Sequence, residues 1–223
     1  MPFPKKKVTR RAALEELAIL EESYPQAVTA LEYGSEFQLL VAVILSAQCT
    51  DARVNMTTPT LFAKYPTPEK LARARQSDVE TVIRSCGFFR MKAKNIIACA
   101  RDLVERFGGR VPQDRADLES LAGVGRKTAS VVMAAAFHAE ALAVDTHVFR
   151  VAHRLGLTLG TTPRQVEEDM TALVPPSKWG DATHWLIVHG RQVCKAPTPL
   201  CERCQVNRLC PTPAIIRRQS KDD

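Results

Sequence analysis

Four closely spaced cysteines near the carboxyl end of the chain constrain its fold more than any other feature. They form the pattern Cys194-x6-Cys201-x2-Cys204-x5-Cys210 in a proline-rich segment. Seven cysteines without an apolar leader are typical of a reducing compartment, where structural disulfides are rare. Zinc sites usually combine two Cys-x2-Cys units, whereas four thiolates in one loop favour a compact 4Fe-4S cluster. The spacing therefore predicts a metal site, with the cluster favoured and with zinc and disulfides as alternatives.

The other three cysteines, Cys49, Cys86 and Cys99, share no ligand spacing, and Cys99 lies in an apolar run. Free cysteines of this kind usually behave as small, inert core residues. We therefore expect three buried thiols without a common role.

Length and charge bound the classes of protein that this sequence can encode. Its 223 residues, 45% of them hydrophobic, are enough for one large or two medium domains with real cores. The net charge is +7 and the pI is about 9.2. This charge favours a nucleic-acid partner, with a solvated basic surface as the alternative. The basic residues that recur through the predicted folded region are Arg90, Lys92, Lys94, Arg126, Lys127, Arg150, Arg154 and Arg191.

No stretch of the sequence approaches the ~20 apolar residues that a membrane span needs. The lysines at positions 5–7 precede a charged amphipathic pattern rather than an apolar leader. We therefore expect no membrane partner and a cytoplasmic, nucleoid-associated location.

Helical periodicity recurs along the chain while strand alternation does not, so the fold class is predicted to be all-α. Ser35 is expected to cap a helix that is apolar on every side and therefore buried. Gly108 and Gly109 are expected to end another helix, because glycine tolerates the left-handed conformation. The predicted helices span residues 10–22, 37–47, 51–64, 77–85, 91–107, 126–138, 145–155, 163–174 and 180–193.

A glycine-containing segment at residues 118–129 is predicted to form a hairpin between two helices. Its glycines permit positive backbone torsions and close approach, leaving amides free to meet a phosphate oxygen beside the positive end of a helix dipole. Arg126 separates Gly125 from Lys127, so the segment is not a nucleotide-binding P-loop. An ordinary tight turn is the alternative. The residues predicted to bind nucleic-acid backbone here are Gly123, Val124, Gly125 and Arg126.

Several motifs together identify a family resemblance. In chain order they are Ser-Ala-Gln at 46–48, Leu-Ala-Gly-Val-Gly-Arg-Lys-Thr-Ala at 121–129, Val-Asp-Thr-His at 144–147, His-Trp-Leu-Ile-Val-His-Gly-Arg at 184–191 and the four-cysteine tail. From about residue 10 to residue 212, the chain resembles the endonuclease III family of DNA glycosylases.

This resemblance implies two helical domains that face each other across a DNA-binding cleft. A six-helix domain at 29–139 would carry the helix-hairpin-helix motif, and residues 1–28 with 140–223 would form the domain that holds the 4Fe-4S cluster on Cys194, Cys201, Cys204 and Cys210. The implied partner is double-stranded DNA with an oxidised pyrimidine or an abasic site, the target base being flipped out of the duplex. We expect the protein to act as a monomer.

Lys127 and Asp145 are the predicted catalytic residues. Lys127 would lie in the first turn of a helix beside Arg126, where its protonated form is disfavoured and its amine can attack the sugar carbon. Base displacement would leave a Schiff base that permits β-elimination, so one residue would serve both base removal and strand nicking. A plain phosphate contact is the alternative for Lys127. In the family, an aspartate at the Asp145 position stabilises positive charge on the sugar or activates the attacking group, and capping of a helix is its alternative or additional role.

The remaining predicted DNA contacts fill or open the duplex. Gln48 is expected to enter the gap left by the flipped base, and Phe88 to wedge between bases of the opposite strand, where the family commonly has leucine. Ala122 replaces the proline usual in the hairpin, which we expect to loosen the turn. Arg191 and Lys195 are the expected basic contacts near the cysteine segment, whose loop has fewer basic residues than its relatives often have.

Two histidines, His184 and His189, are expected to pack near the cluster rather than to ligate it. Two other functions compete with the main prediction. An adenine- or thymine-mismatch glycosylase would share the fold, and a non-catalytic DNA-binding protein with a zinc-clasped tail would share the basic charge.

Overall fold

The computed structural model describes residues 3–216, which form helices joined by turns and loops. The all-α prediction is confirmed for this part of the chain. The chain divides into two compact units. One contains the residues up to Val28 together with those from Glu140 onward, and the other is Thr29–Ala139.

The unit Thr29–Ala139 has seven helices: α2 (Glu36–Ser46), α3 (Asp51–Lys64), α4 (Pro68–Ala72), α5 (Gln76–Val82), α6 (Phe89–Phe107), α7 (Arg115–Glu119) and α8 (Arg126–Phe137). Every residue of α2 from Leu39 to Leu45 is buried, so this helix forms the centre of the unit. It packs against α3 and α8, while α4 and α5 pack against the long helix α6. The structure thus has seven helices where the resemblance implies six, and two of them, α4 and α7, have only five residues each.

The other unit consists of α1 (Arg10–Ser23), α9 (Thr146–Leu155), α10 (Pro163–Leu173) and α11 (Trp179–Gln192), with 3-10 turns at Pro176–Lys178 and Cys201–Arg203. Its core includes Leu17, Leu20, Val151 and Leu186. Helix α9 packs closely on α11 because Gly190 has no side chain. A Cβ at Gly190 would lie 3.1 Å from Nη2 of Arg150.

Local sequence signals explain where the long helices begin and end. Ser35 caps α2 by accepting a hydrogen bond from the Gln38 amide, as predicted. Gly108 ends α6 in the left-handed conformation, with φ of 59°. Helix α6 begins two residues before its predicted start, because the left-handed residue Phe88 takes the N-cap position. None of the helices within residues 3–216 is long and apolar enough to cross a membrane.

Candidate functional site

The hairpin between α7 and α8 contains a tight turn fixed by one hydrogen bond and one glycine. The amide of Val124 donates to the carbonyl of Leu121 over 3.1 Å, and Gly123 has φ of 79°. These features define a type II turn, whose third position requires a positive φ. A Cβ at Gly123 would lie only 2.9 Å from Cβ of Asn95. Glycine is therefore needed here both for its torsion and for close contact with α6.

The second glycine of the hairpin has a different role from the one predicted. Gly125 has φ of −103° and ψ of 178°, an extended conformation that any residue adopts, so the expectation of a positive torsion is wrong at this position. A Cβ at Gly125 would meet no protein atom within 4 Å. Gly125 is the N-cap of α8 and offers no side-chain acceptor to the first-turn amides. These amides are therefore open to an anion from outside, beside the positive end of the helix dipole.

Ala122, expected to loosen the turn, instead ties the hairpin to α6. Its amide donates a hydrogen bond to Oδ2 of Asp102 over 3.3 Å. Proline has no amide hydrogen and cannot make this contact. The alanine therefore provides an attachment to α6 that proline could not make, and the expected loosening of the turn stays a prediction.

Lys127 is the second residue of α8, and its side chain is exposed. Helix α8 is anchored behind it, because Nη1 of Arg115 donates to the buried Ser130 hydroxyl over 2.8 Å. The hairpin thus presents Arg126 and Lys127 at the surface of a firmly packed helix.

Asp145 is the N-cap of α9. Its Oδ1 atom accepts hydrogen bonds from the amides of His147 and Val148, both over 2.8 Å. Within the described residues, the Oδ2 atom has no hydrogen bond, and the residue is half-buried. Asp145 therefore does cap α9, the role expected as its alternative or additional one, and it uses only Oδ1 to do so. Lys127 and Asp145 belong to different units of the chain.

Gln48 and Phe88 lie in two neighbouring loops and share an unusual backbone. Gln48 has φ of 52° and Phe88 has φ of 55°, left-handed conformations that are uncommon outside glycine. A Cβ at Gly87 would contact the Gln48 carbonyl at 3.5 Å, so the two loops meet. Both side chains are exposed, and Phe88 exposes 68% of its surface. The Phe88 ring is therefore held in solvent on a loop whose backbone is constrained.

The four cysteines of the tail line one cavity together with Arg154 and His189. Burial raises the pKa of Cys204 to about 11 and that of Cys210 to about 12. The thiolate forms that a metal requires are thus disfavoured by the protein alone and need a cation to stabilise them.

Arg154 organises this cavity, although the sequence assigned it to a basic surface. Only 4% of it is exposed. Its Nη1 atom donates to the carbonyl of Lys195 over 2.7 Å and lies 3.6 Å from Sγ of Cys194, while Nη2 donates to the carbonyl of Pro197 over 3.0 Å. The Arg154 carbonyl accepts from Sγ of Cys210 over 3.3 Å. One residue of α9 therefore supports both ends of the cysteine segment.

His189 connects α11 to the same cavity. Burial lowers the pKa of His189 to about 4, so its ring is neutral near pH 7. Nδ1 lies 3.0 Å from the Tyr24 hydroxyl, and Nε2 lies 3.6 Å from Sγ of Cys204. If Tyr24 donates to Nδ1, the ring proton is on Nε2 and points at the sulfur, the arrangement that supports a metal-bound thiolate. This position beside Cys204 agrees with the packing role expected for His189.

Two basic residues of the predicted surface are in fact buried. Besides Arg154, Lys92 is only 5% exposed, so neither is available to a phosphate group. In contrast, Arg126, Arg191 and Lys195 are exposed, as DNA contacts must be. Periodicity would have placed Lys92 on the apolar face of α6, which is the signal that the charge count overlooked.

Comparison with known proteins identifies the class to which this fold and site belong. Residues 41–176 match the family model for HhH-GPD superfamily base excision DNA repair protein, and this match covers more than half of the chain. The chain is 50% identical over 204 residues to endonuclease III of Synechocystis sp., covering 91% of this chain and 93% of the relative. It is 45% identical over 197 residues to endonuclease III of Escherichia coli strain K12, covering 88% and 93% of the two chains.

Solved structures give the same result. A trapped endonuclease III–DNA covalent intermediate superposes with a TM-score of 0.91 at 40% identity, covering 94% of this chain and 99% of that chain. A thermostable thymine-DNA glycosylase shares the fold with a TM-score of 0.82, at 24% identity. The chain therefore belongs to the endonuclease III family and is a DNA glycosylase of base excision repair.

Proposed function

We propose that this protein is a bifunctional DNA glycosylase and abasic-site lyase that removes oxidised pyrimidines from duplex DNA, with Lys127 as the nucleophile. The observation that carries the proposal is the exposed Lys127 in the first turn of α8, directly after a turn whose amides are open to an anion. The neutral amine attacks C1′ of the nucleotide and displaces the base. The resulting Schiff base makes the C2′ proton acidic, and β-elimination then releases the 3′ phosphate.

Asp145 stabilises the positive charge that develops on the sugar as the base leaves. Its Oδ1 atom holds the start of α9, and its Oδ2 atom has no hydrogen bond within the described residues. A carboxylate fixed at one oxygen can present the other without reorganising, which favours electrostatic stabilisation of a transition state.

Gln48 and Phe88 maintain the opened duplex. Their loops meet, their backbones are constrained and both side chains are exposed, which supports insertion of Gln48 into the vacated position and of Phe88 between bases of the opposite strand. The amides of Gly123, Gly125 and Arg126 bind a phosphate together with the Arg126 side chain, whereas the predicted contact of Val124 is not made by its amide, which donates to the Leu121 carbonyl. Arg191 and Lys195 contribute further phosphate contacts.

The tail cysteines Cys194, Cys201, Cys204 and Cys210 fit a 4Fe-4S cluster. They line a single cavity, and the Arg154 guanidinium and the His189 ring supply polar hydrogens beside two of the sulfurs. These donors partly offset the burial that disfavours the charged thiolates, and a bound metal would supply the remaining positive charge. When bound, the cluster supplies four metal–thiolate bonds that hold the segment 194–210 together. Monomeric action and a nucleoid-associated location in the cytoplasm stay predictions.

Two measurements on the purified protein test this function. Metal analysis should find about four irons per chain. A duplex with one oxidised pyrimidine should be nicked at the lesion, while the undamaged duplex of the same sequence should not. Zinc in place of iron would contradict the cluster assignment. Binding of damaged duplex without base release or nicking would show that the protein binds DNA but does not act as a glycosylase. A panel of lesions and opposite bases would then establish substrate preference.

A further inference from the structure

The loop that carries Phe88 is attached to α3 through one buried hydroxyl group. Thr57 lies in the middle of α3, and only 6% of it is exposed. Its Oγ1 atom donates a hydrogen bond to the carbonyl of Arg53 over 2.9 Å. The Ser85 hydroxyl lies 3.1 Å from the same oxygen, and the thiol of Cys86 donates to it over 3.9 Å. A single oxygen of α3 therefore contacts two consecutive residues of the loop between α5 and α6.

The hydrogen-bonding capacity of Thr57 fixes the direction of these contacts. A hydroxyl group has one hydrogen to donate and two lone pairs that accept. Because the Thr57 hydrogen is used on the carbonyl of Arg53, the Ser85 hydroxyl is the donor of the second contact. The thiol of Cys86 takes the other lone pair. Cys86 is buried as expected, but it makes a specific polar contact and is not an inert core thiol.

The same loop also meets the loop of Gln48. A Cβ at Gly87 would lie 3.5 Å from the Gln48 carbonyl, and the Gln48 loop leads directly into α3, whose N-cap is Thr50. Thr57 and Gly87 are therefore two points at which the Phe88 loop is held against the segment that carries Gln48. The left-handed conformation of Phe88 needs such contacts, because it persists at a bulky residue only where the surroundings impose it.

We propose that Thr57 is a positioning residue for opening of the duplex, because its hydroxyl holds the Phe88 loop at a fixed place relative to Gln48. This inference rests on the proposed roles of Gln48 and Phe88. Loss of the hydroxyl would leave two loop donors without their acceptor and allow the loop to shift. Displacement of a positioned group by about 1 Å can cost up to about a hundredfold in rate. The cost should be confined to substrates whose bases must be unstacked.

Thr57→Val removes the hydroxyl at nearly constant volume, and rates on two substrates test its role. On a duplex with a paired oxidised pyrimidine, excision should slow by about three- to tenfold, the size of one lost hydrogen bond. Cleavage at a pre-formed abasic site should change little, because no paired base has to be extruded there. Thr57→Ser keeps the hydroxyl and should keep most of the parent rate. Thr58→Val, which removes a hydroxyl from the next buried residue, is the matched control and should behave like the parent protein.

A double-mutant cycle with Phe88→Ala separates positioning from a general loss of stability. In the Phe88→Ala background the wedge is already absent, so Thr57→Val should slow excision of the paired lesion no further. A purely structural role of Thr57 would give the same loss in both backgrounds. Ser85→Ala removes one donor at an exposed position and should reproduce the selective loss even if Thr57→Val folds poorly.

Amide hydrogen exchange in the free protein gives a readout that does not depend on catalysis. The Cys86 amide donates to the carbonyl of Ile83 over 2.8 Å. It should exchange about three- to tenfold faster in Thr57→Val than in the parent protein, whereas Thr58→Val should match the parent.

Unchanged exchange, an equal loss of rate on both substrates, or a full effect of Thr57→Val in the Phe88→Ala background would overturn the positioning role. Absence of excision by the parent protein would instead contradict the proposed function, and with it any role of Thr57 in opening the duplex. Hydrogen exchange would still show whether the hydroxyl holds the loop, so the two failures are distinguishable.

Discussion

The amide of Ala122 donates a hydrogen bond to Oδ2 of Asp102 and thereby attaches the hairpin to the middle of α6. Twenty residues separate the two groups in sequence. The contact holds the turn from the position next to Gly123, whose own packing on Asn95 leaves no room for a side chain. The hairpin is thus fixed to α6 at two consecutive residues, and α8 starts from a defined point.

A double-mutant cycle at Ala122 and Asp102 tests this attachment. Ala122→Pro removes the donor and should cost about 0.5–1.5 kcal/mol of unfolding free energy, partly offset because proline restricts the unfolded chain. Asp102→Ala should also destabilise the protein. In the Asp102→Ala background, however, Ala122→Pro should be neutral or stabilising, because the acceptor is already absent. Additive losses in thermal unfolding would show that the hydrogen bond contributes nothing.

The burial of Glu16 should make the free energy of unfolding depend on pH in an unusual direction. This residue of α1 is fully buried, and neither carboxyl oxygen has a hydrogen-bond partner within the described residues. Burial raises the pKa of Glu16 from 4.5 to about 8. Because the folded-state pKa lies above the unfolded one, stability is highest below about pH 4.5 and falls as the pH rises towards 8. The total loss is on the order of a few kcal/mol, at about 1.4 kcal/mol per pH unit.

Melting temperatures from pH 5 to pH 8 measure this effect. Glu16→Gln cannot ionise, so its melting temperature should fall less over this range than that of the parent protein. Glu15→Gln, at an exposed position of the same helix, should follow the parent curve. Parallel curves for the parent and Glu16→Gln would show that the Glu16 carboxyl does not titrate in this range.

Arg154 is predicted to be essential for retention of the metal. Arg154→Lys keeps the charge but removes the fork that donates to the carbonyls of Lys195 and Pro197. Each lost charged hydrogen bond costs about 1.5–3 kcal/mol, so the variant should be purified with less iron and weaker visible absorption. Arg164→Lys, at an exposed ion pair of the same unit, should retain the parent iron content. Equal iron in both variants would refute the organising role of Arg154.

Phe88 should matter more for a paired damaged base than for an abasic site. Loss of its stacking by Phe88→Ala is worth ~1–3 kcal/mol where unstacked bases must be kept apart. Excision of a paired lesion should therefore slow by about tenfold or more, while cleavage at an abasic site should change less. Met56→Ala, which removes another exposed apolar side chain of the same unit, serves as the control. An equal loss on both substrates would be inconsistent with a wedge.

Local signals allowed much of this fold to be predicted. The nine predicted helices follow from apolar periodicity and from caps such as Ser35, and the structure has all nine within a few residues of the predicted bounds. Helices α4 and α7 were not predicted, because five residues are too few to establish a period. The early start of α6 depends on the left-handed conformation of Phe88. This conformation is rare for a bulky residue, so the sequence does not indicate it.

Tertiary contacts explain what sequence reasoning missed in the site. A count of charges treats Arg154 and Lys92 as surface residues, but packing buries both. Arg154 lies against the cysteine segment, and Lys92 lies on the buried face of α6. The contact of Gly87 with the Gln48 carbonyl likewise joins positions far apart in the chain. Such contacts leave no local pattern. The tail cysteines, in contrast, were recognisable because their ligand spacing is local.

Covalent trapping on an abasic duplex tests the central claim, that Lys127 forms the Schiff base. Borohydride reduces an imine to a stable amine, so the parent protein should yield a covalent protein–DNA adduct whose linked peptide contains Lys127. Lys127→Gln should bind the same duplex but give neither adduct nor nick. Asp145→Asn should still be trapped at a pre-formed abasic site, since base removal is bypassed there. An adduct of normal yield with Lys127→Gln, or one mapped to another amine in the parent protein, would contradict the account.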